Sequence, residues 1–170
     1  MEKIIDSLVF VDRMVLNTLK VVTIVSFVLL TILISANVFV RFFPVVSLHW
    51  FDEIIELLYA YLVFYGAAAL WILRGHRSVG DWIEKSIGNP RLRHLYRMFI
   101  ELMVLAFAAV FFYYSLRLTI LALDVTNVFA IPKRVLYSCM PVAGALMVIY
   151  SLRNIAVEIT RIGKPTEGDA

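Results

Sequence analysis

Charged residues are scarce in this sequence, and cysteine is almost absent. Asp, Glu, Lys and Arg make up 17% of the 170 residues, below the roughly 25% of an average soluble domain. Hydrophobic residues make up 62% and the mean hydropathy is +0.87, which is more apolar surface than a soluble chain of this length can bury. The single cysteine, Cys139, excludes a disulfide within the chain and a cysteine-ligated metal cluster. The expected solvent is therefore lipid.

The apolar residues gather in long runs. Each run approaches the roughly 20 residues that an α-helix needs to cross a hydrocarbon core. The first is too long and starts too far along the chain for a signal peptide, so we take it as a retained span. Runs without Asp, Glu, Lys or Arg cover residues 21–40, 57–73, 102–116 and 135–152. The sequence predicts one all-α membrane domain over residues 1–163, a disordered tail over 164–170, and spans at about 20–43, 50–74, 95–123 and 133–158.

The positions of Lys and Arg predict which ends of the spans face the cytoplasm, where these residues accumulate. Of the 16 Lys and Arg residues, those on one side of the predicted spans are Arg41, Arg117, Lys133 and Arg134. All the others lie on the opposite side. We therefore expect both termini and the middle loop to be cytoplasmic, with the connections around residues 44 and 127 outside.

Two further segments have the spacing of amphipathic helices. Between residues 1 and 20, polar and apolar side chains fall on opposite helical faces. This segment either lies in the membrane interface or extends the first span. A second interfacial helix is predicted over residues 78–88, with Trp82 at headgroup depth and Asp81 favourable in its first turn. With the neighbouring His76, these are the candidate membrane-interface residues.

Three carboxylates, Asp52, Glu53 and Glu56, follow Trp50 at the predicted start of the second span. Acidic residues at a helix N-terminus are stabilised by its dipole and unpaired N–H groups, so ordinary capping is one interpretation. The other is that Asp52 and Glu56, four residues apart and on one helical face, meet a positive group on a partner. The sequence leaves both interpretations open.

Small residues form two patches, around Gly66 in the second span and Gly144 in the fourth. Such patches let helices approach closely, either inside the bundle or against another subunit. Pro141 predicts a kink in the fourth span, and Pro132 fits a helix start. The candidate subunit-interface residues are Arg41, Trp50, Asp52, Glu53, Glu56, Gly66 and Gly144.

No motif for catalysis or for a bound cofactor is present. The sequence has no phosphate loop, nucleophile elbow or histidine-glutamate zinc motif, and its three histidines are not placed to hold a haem across the bilayer core. The net charge of +3 is too small to indicate nucleic acid. The middles of the spans show neither a charge nor a broken helix with a binding site, whereas a transporter working alone usually has one of these at mid-depth. We therefore expect no catalytic, substrate-binding or metal-binding residue, which favours a supporting subunit.

Several short motifs follow one another in a fixed order along the chain. They read Arg41-Phe42-Phe43, Trp50-Phe51-Asp52-Glu53, Phe64-Tyr65-Gly66-Ala67-Ala68 and Gly75-His76-Arg77-Ser78-Val79-Gly80-Asp81, followed by Ile131-Pro132, Tyr137, Pro141 and Gly144. Taken together, they resemble the motifs of the DctQ-type small membrane subunit of tripartite ATP-independent periplasmic (TRAP) transporters. Glu56 and Gly80 depart from that pattern, since relatives often carry a basic and an apolar residue there.

The resemblance implies a complex in the bacterial inner membrane. Its large subunit would be an elevator-type permease driven by a sodium gradient, fed by a periplasmic binding protein with an organic anion such as a dicarboxylate, sugar acid or sulfonate. The small subunit would support the scaffold of that permease, and sodium and substrate would bind to the large subunit, leaving this chain without a cofactor. Two other classes stay open: an anchor or scaffold subunit of another membrane complex, and a self-assembling small exporter.

Overall fold

A computed structural model describes residues 2–42, 50–73 and 90–162, and everything below concerns these residues. They form the helices α1 (Glu2–Arg41), α2 (Trp50–Ile72), α3 (Pro90–Leu121), α4 (Lys133–Tyr137) and α5 (Cys139–Ile162). Four candidate spans are long and apolar enough to cross a membrane: Phe10–Val40, Trp50–Ile72, Leu95–Leu121 and Lys133–Ala156. The predicted all-α, four-span architecture is confirmed at this level. The interfacial helix predicted over 78–88, with His76, Asp81 and Trp82, and the tail 164–170 lie outside the described residues.

The first helix is one continuous element of 40 residues. At 1.5 Å per residue it is about 60 Å long, roughly twice the hydrocarbon thickness of a bilayer. The N-terminal segment therefore extends the first span, which was one of the two possibilities left open by its pattern.

The long helices pack side by side in the order α1, α2, α5, α3, and the short α4 touches α2, α3 and α5. A core of buried side chains runs through this row and draws on every long helix. Most of its members are alanines, which let neighbouring backbones approach closely. The core consists of Leu19, Ala68, Ala69, Ala108, Ala143 and Met147.

The last span lies at the centre of the row. Of its apolar stretch 44% is buried inside the protein, against 11% for the first and third spans. Most of the remaining surface of α1 and α3 is made of exposed apolar side chains. These faces suit lipid or another membrane protein, since soluble monomers rarely expose large contiguous apolar patches.

A short break divides the last span into α4 and α5. α4 begins directly after Pro132, which confirms the helix start, and the break falls at Ser138. Pro141 has no N–H, so the Tyr137 carbonyl four residues earlier loses its helical donor. The Thr119 hydroxyl of α3 lies 3.2 Å from this carbonyl and 2.9 Å from the Ser115 carbonyl of its own helix, so its single hydrogen is shared between the two. The kink expected from Pro141 is thus a break beside which a neighbouring helix places a hydroxyl.

Candidate functional site

The carboxylate of Glu53 joins two distant parts of the chain. It accepts hydrogen bonds from the backbone N–H groups of Val128, at 2.6 Å, and Phe129, at 3.1 Å, in the connection between α3 and α4. Trp50, which begins α2, stacks on Phe51 with ring centroids 4.3 Å apart and meets the edge of Phe129 at 6.4 Å. A carboxylate that accepts two successive N–H groups forms a strong, charge-assisted pair of hydrogen bonds. Glu53 therefore fixes the α3–α4 connection on the start of α2.

Asp52 and Glu56 have a different environment from Glu53. Both side chains are exposed, and neither forms a hydrogen bond or ion pair with any residue that the structure describes. Being four residues apart on α2, they lie on one side of the helix. The structure thus divides the acidic cluster: Glu53 is bonded within the chain, and Asp52 and Glu56 are available to a partner.

The α3–α4 connection is itself well ordered. Val125 and Pro132 form an antiparallel bridge, and the Thr126 N–H donates to the Ile131 carbonyl at 2.9 Å. The Ile131 N–H donates to the Thr126 hydroxyl at 3.1 Å, while Ala130 has a positive φ of 52°. Several apolar side chains stay exposed on this loop: Leu123, Val125, Val128 and Phe129.

Arg134 closes the C-terminal end of α3. Its guanidinium donates to the carbonyls of Ala122, at 3.1 Å, and Ile120, at 3.2 Å. These carbonyls carry the partial negative charge of the helix end, so a cation there is stabilising. Arg134 is therefore used inside the chain rather than as an external contact.

A small crevice of about 30 Å³ lies between the start of α2 and the α3–α4 loop. Glu53, Glu56, Thr126 and Phe129 are among the residues that line it. Ligand sites for organic molecules have volumes of about 300 Å³ or more, and a water needs only about 15 Å³. This crevice can hold water and is too small for an organic anion.

The two glycines named from the sequence lie between helices of this chain. A Cβ atom at Gly66 would stand 3.4 Å from the Thr23 methyl of α1, and one at Gly144 would stand 3.1 Å from the Cα of Phe112 in α3. Both positions therefore serve packing inside the bundle, one of the two alternatives that the sequence left open. A contact of either glycine with another subunit stays a prediction, as does one through Arg41, the last residue of α1.

At the opposite end of the bundle, polar side chains tie the helices together. Asp12 of α1 forms an ion pair with Arg153 of α5 and accepts a hydrogen bond from the Tyr150 hydroxyl at 2.8 Å. The Trp71 indole N–H of α2 donates to the hydroxyl of the fully buried Ser151 at 3.0 Å. Sequence reasoning missed these contacts, since nothing local pairs residues so far apart in the chain.

The described residues contain no group of three or more His, Cys, Asp and Glu side chains that could hold a metal ion. Cys139 is fully buried and its thiol lies 3.2 Å from the Leu136 carbonyl. The site at the start of α2 is built from carboxylates, backbone N–H groups and aromatic rings.

The family comparison places this arrangement in context. Residues 30–161 match the family model of the DctQ component of tripartite ATP-independent periplasmic transporters. The chain belongs to this family. DctQ is a transporter component and not an enzyme family, and a DctQ component works with a large permease and a substrate-binding protein. Together with the four apolar helices, this makes the chain a multi-pass membrane protein. Among curated proteins, none matches the chain.

The match also bears on the resemblance seen in the sequence motifs. It begins inside α1 and continues almost to the end of α5, so it covers α2, the α3–α4 loop and the core helices. The first 29 residues, which include the start of α1 and part of the first span, lie outside it. The acidic cluster of this DctQ component lies within the matched part.

Proposed function

We propose that this chain is the small permease subunit of a TRAP transporter in the bacterial inner membrane, where it supports the scaffold of a large elevator-type permease. The complex takes up an organic anion, a carboxylate or a sulfonate, with a sodium gradient and a periplasmic binding protein. The family match over residues 30–161 carries this proposal.

The composition and packing of the spans support the proposal that substrate and sodium do not bind to this chain. The mid-depth stretches 21–40, 57–73, 102–116 and 135–152 contain no Asp, Glu, Lys or Arg. The centre of the helix row is filled by alanines with Leu19 and Met147. Transporters usually place charged residues or broken helices at mid-depth to bind ions and substrate. The break in the last span falls at Ser138, near the start of the span Lys133–Ala156 and not at mid-depth. The exposed apolar faces of α1 and α3 offer the area for contact with the large subunit.

Sodium-driven uptake in proteoliposomes tests this function. The small subunit, the large permease and the binding protein are reconstituted together, and labelled dicarboxylates, sugar acids and sulfonates are offered in turn. We expect saturable, sodium-dependent uptake of one of these classes by the full set and none by the small subunit alone. Saturable uptake by this chain alone would establish the small-exporter alternative instead. Failure to bind a large permease would favour an anchor role in another complex.

The divided acidic cluster gives a sharper test of subunit contact. The double variant Asp52→Asn with Glu56→Gln removes the two exposed charges, and we expect it to weaken binding to the large subunit by up to about five-fold, the effect of a solvated ion pair. Asp124→Asn is the matched control, because Asp124 is an exposed carboxylate outside this cluster. Affinity is measured with the purified subunits in detergent. Equal affinity of the double variant and the unchanged chain would contradict a contact through this cluster.

A further inference from the structure

Arg117 is a charged side chain on an otherwise apolar, exposed surface of α3. It stands four residues before Leu121, the last residue of the helix, and no other Asp, Glu, Lys or Arg lies between residues 102 and 121. The Arg117 side chain is exposed. No residue in the described part of the chain pairs with it. Its exposed neighbours at helical spacing and along the chain are Tyr113, Tyr114, Leu116, Leu118, Ile120 and Leu121.

The nearby carbonyl and carboxylate groups of the chain do not bind the Arg117 guanidinium. Arg134 donates to the Ile120 and Ala122 carbonyls, so the negative end of the α3 dipole has its cation. Asp124, the next carboxylate along the chain, is exposed and forms no ion pair with Arg117. A charge at the hydrocarbon boundary is costly unless an anion or water reaches it. Arg117 is therefore free to bind water or an anionic group from outside this chain.

We propose that Arg117 binds the phosphate of a membrane phospholipid whose acyl chains lie along the exposed face of α3. The residue stands about 6 Å from the helix end, a depth from which a long side chain reaches the headgroup layer. A planar guanidinium binds phosphate through two parallel hydrogen bonds, which an ammonium group cannot do. Tyr113 and Tyr114 lie one turn before Arg117, toward the middle of the span, and both are exposed, so they offer ring surface to the acyl chains.

The surroundings of Arg117 favour a lipid over a carboxylate on another subunit. Helices that pack closely in membranes place small residues at the contact, as α3 does with the buried Ala108 and Ser115. The exposed side chains around Arg117 are large, as Tyr114, Ile120 and Leu121 illustrate. Large flexible and aromatic side chains suit the irregular surface of acyl chains.

Photolabelling of the full chain tests the site. The protein is purified in a maltoside detergent, which contains no phosphate, and is exposed to phosphatidylglycerol that carries a photoreactive group near the headgroup. Mass spectrometry then locates the label along the chain. We expect label on the end of α3, and Arg117→Gln should reduce it about five-fold, the contribution of one basic residue at an anionic lipid surface. Arg117→Lys should retain part of the labelling.

The matched control is Lys20→Gln, since Lys20 is also an exposed cation at the edge of an apolar stretch. It should leave the label on α3 unchanged. A photoreactive diacylglycerol, which lacks phosphate, should label this segment much less. Equal labelling of the Arg117→Gln variant and the unchanged chain, or equal labelling by the diacylglycerol, would overturn the proposal. Unchanged labelling with weaker binding to the large subunit would instead assign Arg117 to a protein carboxylate and would also overturn it. Arg117→Lys provides the comparison if Arg117→Gln fails to fold.

Discussion

Neighbouring carboxylates at the start of α2 have different roles because their side chains leave the helix in different directions. Glu53 meets two backbone N–H groups of the α3–α4 loop, whereas Asp52 and Glu56 remain exposed. From the sequence, helix capping and partner contact were alternatives for the whole cluster; Glu53 follows neither, and partner contact through Asp52 and Glu56 stays a prediction. Glu53 neither caps its own helix nor is free for a partner, since it stabilises a loop 75 residues away.

Replacement of Glu53 by Gln should loosen this loop. The amide keeps one acceptor oxygen and replaces the other with a donor NH₂ group, which cannot accept the second backbone N–H. We expect hydrogen exchange of the Val128 and Phe129 amides to rise roughly ten-fold, because a bond to a charged acceptor is lost. Glu56→Gln, one turn along the same helix, is the control and should leave these two amides unchanged. Exchange that is equal in both variants would contradict the role of Glu53.

Helix pairs in this bundle differ in how closely they approach. A Cβ at Gly144 would lie 3.1 Å from the backbone of α3, whereas one at Gly66 would meet only the Thr23 methyl at an ordinary 3.4 Å. The backbone of α3 cannot move aside cheaply, because α3 packs on α5 along the centre of the protein. The contact between α5 and α3 is therefore the less tolerant of the two.

Alanine at these positions should have opposite effects. We expect Gly144→Ala to destabilise the folded chain by about 1–3 kcal/mol through overpacking. Gly66→Ala should be neutral or stabilise it by up to about 1 kcal/mol, because alanine favours the helix over glycine. Unfolding in detergent with increasing sodium dodecyl sulfate measures both. A larger loss for Gly66→Ala than for Gly144→Ala would show that the packing of α1 on α2 is the tighter one.

Pro141 and Thr119 act as a pair across two helices. The Thr119 hydroxyl lies 3.2 Å from the Tyr137 carbonyl, which Pro141 leaves without a helical donor, and 2.9 Å from the Ser115 carbonyl. Because its single hydrogen is shared between them, Thr119→Val should destabilise the chain by up to about 1 kcal/mol. In a Pro141→Ala background, the restored N–H can donate to the same carbonyl, so the cost of Thr119→Val should fall. A double-mutant cycle measures the difference. Equal costs in both backgrounds would contradict the pairing.

On the scale of the whole molecule, different contacts hold the helices together at the two ends of the bundle. At one end, the Glu53 carboxylate and the ring of Trp50 fasten the α3–α4 loop to α2. At the other, Asp12 joins α1 to α5 and Trp71 joins α2 to α5. α5 thus connects the other long helices, and the outward faces of α1 and α3 stay free for lipid and for a second subunit.

The Lys and Arg distribution predicts which of these ends faces the cytoplasm. Labelling of introduced cysteines tests that prediction. Cysteines introduced singly at Asn89 and Asn127, in a Cys139→Ser background, should react with an impermeant thiol reagent from opposite sides of the membrane. Asn127 lies in the exposed α3–α4 loop, which we expect outside the cytoplasm. The Cys139→Ser variant without a new cysteine supplies the background signal. Labelling of both positions from the same side would refute the proposed topology.

The sequence by itself determined the four apolar helices, the membrane class, the helix start at Pro132 and the family. These properties depend on residues that are close together in the chain: the transfer of an apolar run into lipid and the missing N–H of proline are local quantities. The motifs around Trp50 and Gly66 are local in the same sense, which is why they sufficed to indicate the family confirmed over residues 30–161.

Only the tertiary structure decided which residues meet. Glu53 and Val128 are 75 positions apart, and Asp12 and Arg153 are 141 apart. Each of these side chains could bind several other residues of the chain. Which residue it contacts depends on the order in which α1, α2, α5 and α3 pack. The same order places Gly66 and Gly144 against helices of this chain. It also brings Arg134 to the carbonyls at the end of α3, while Arg117 has no partner among the described residues. Local chemistry set what each residue could do, and packing across the bundle selected which of these possibilities is realised.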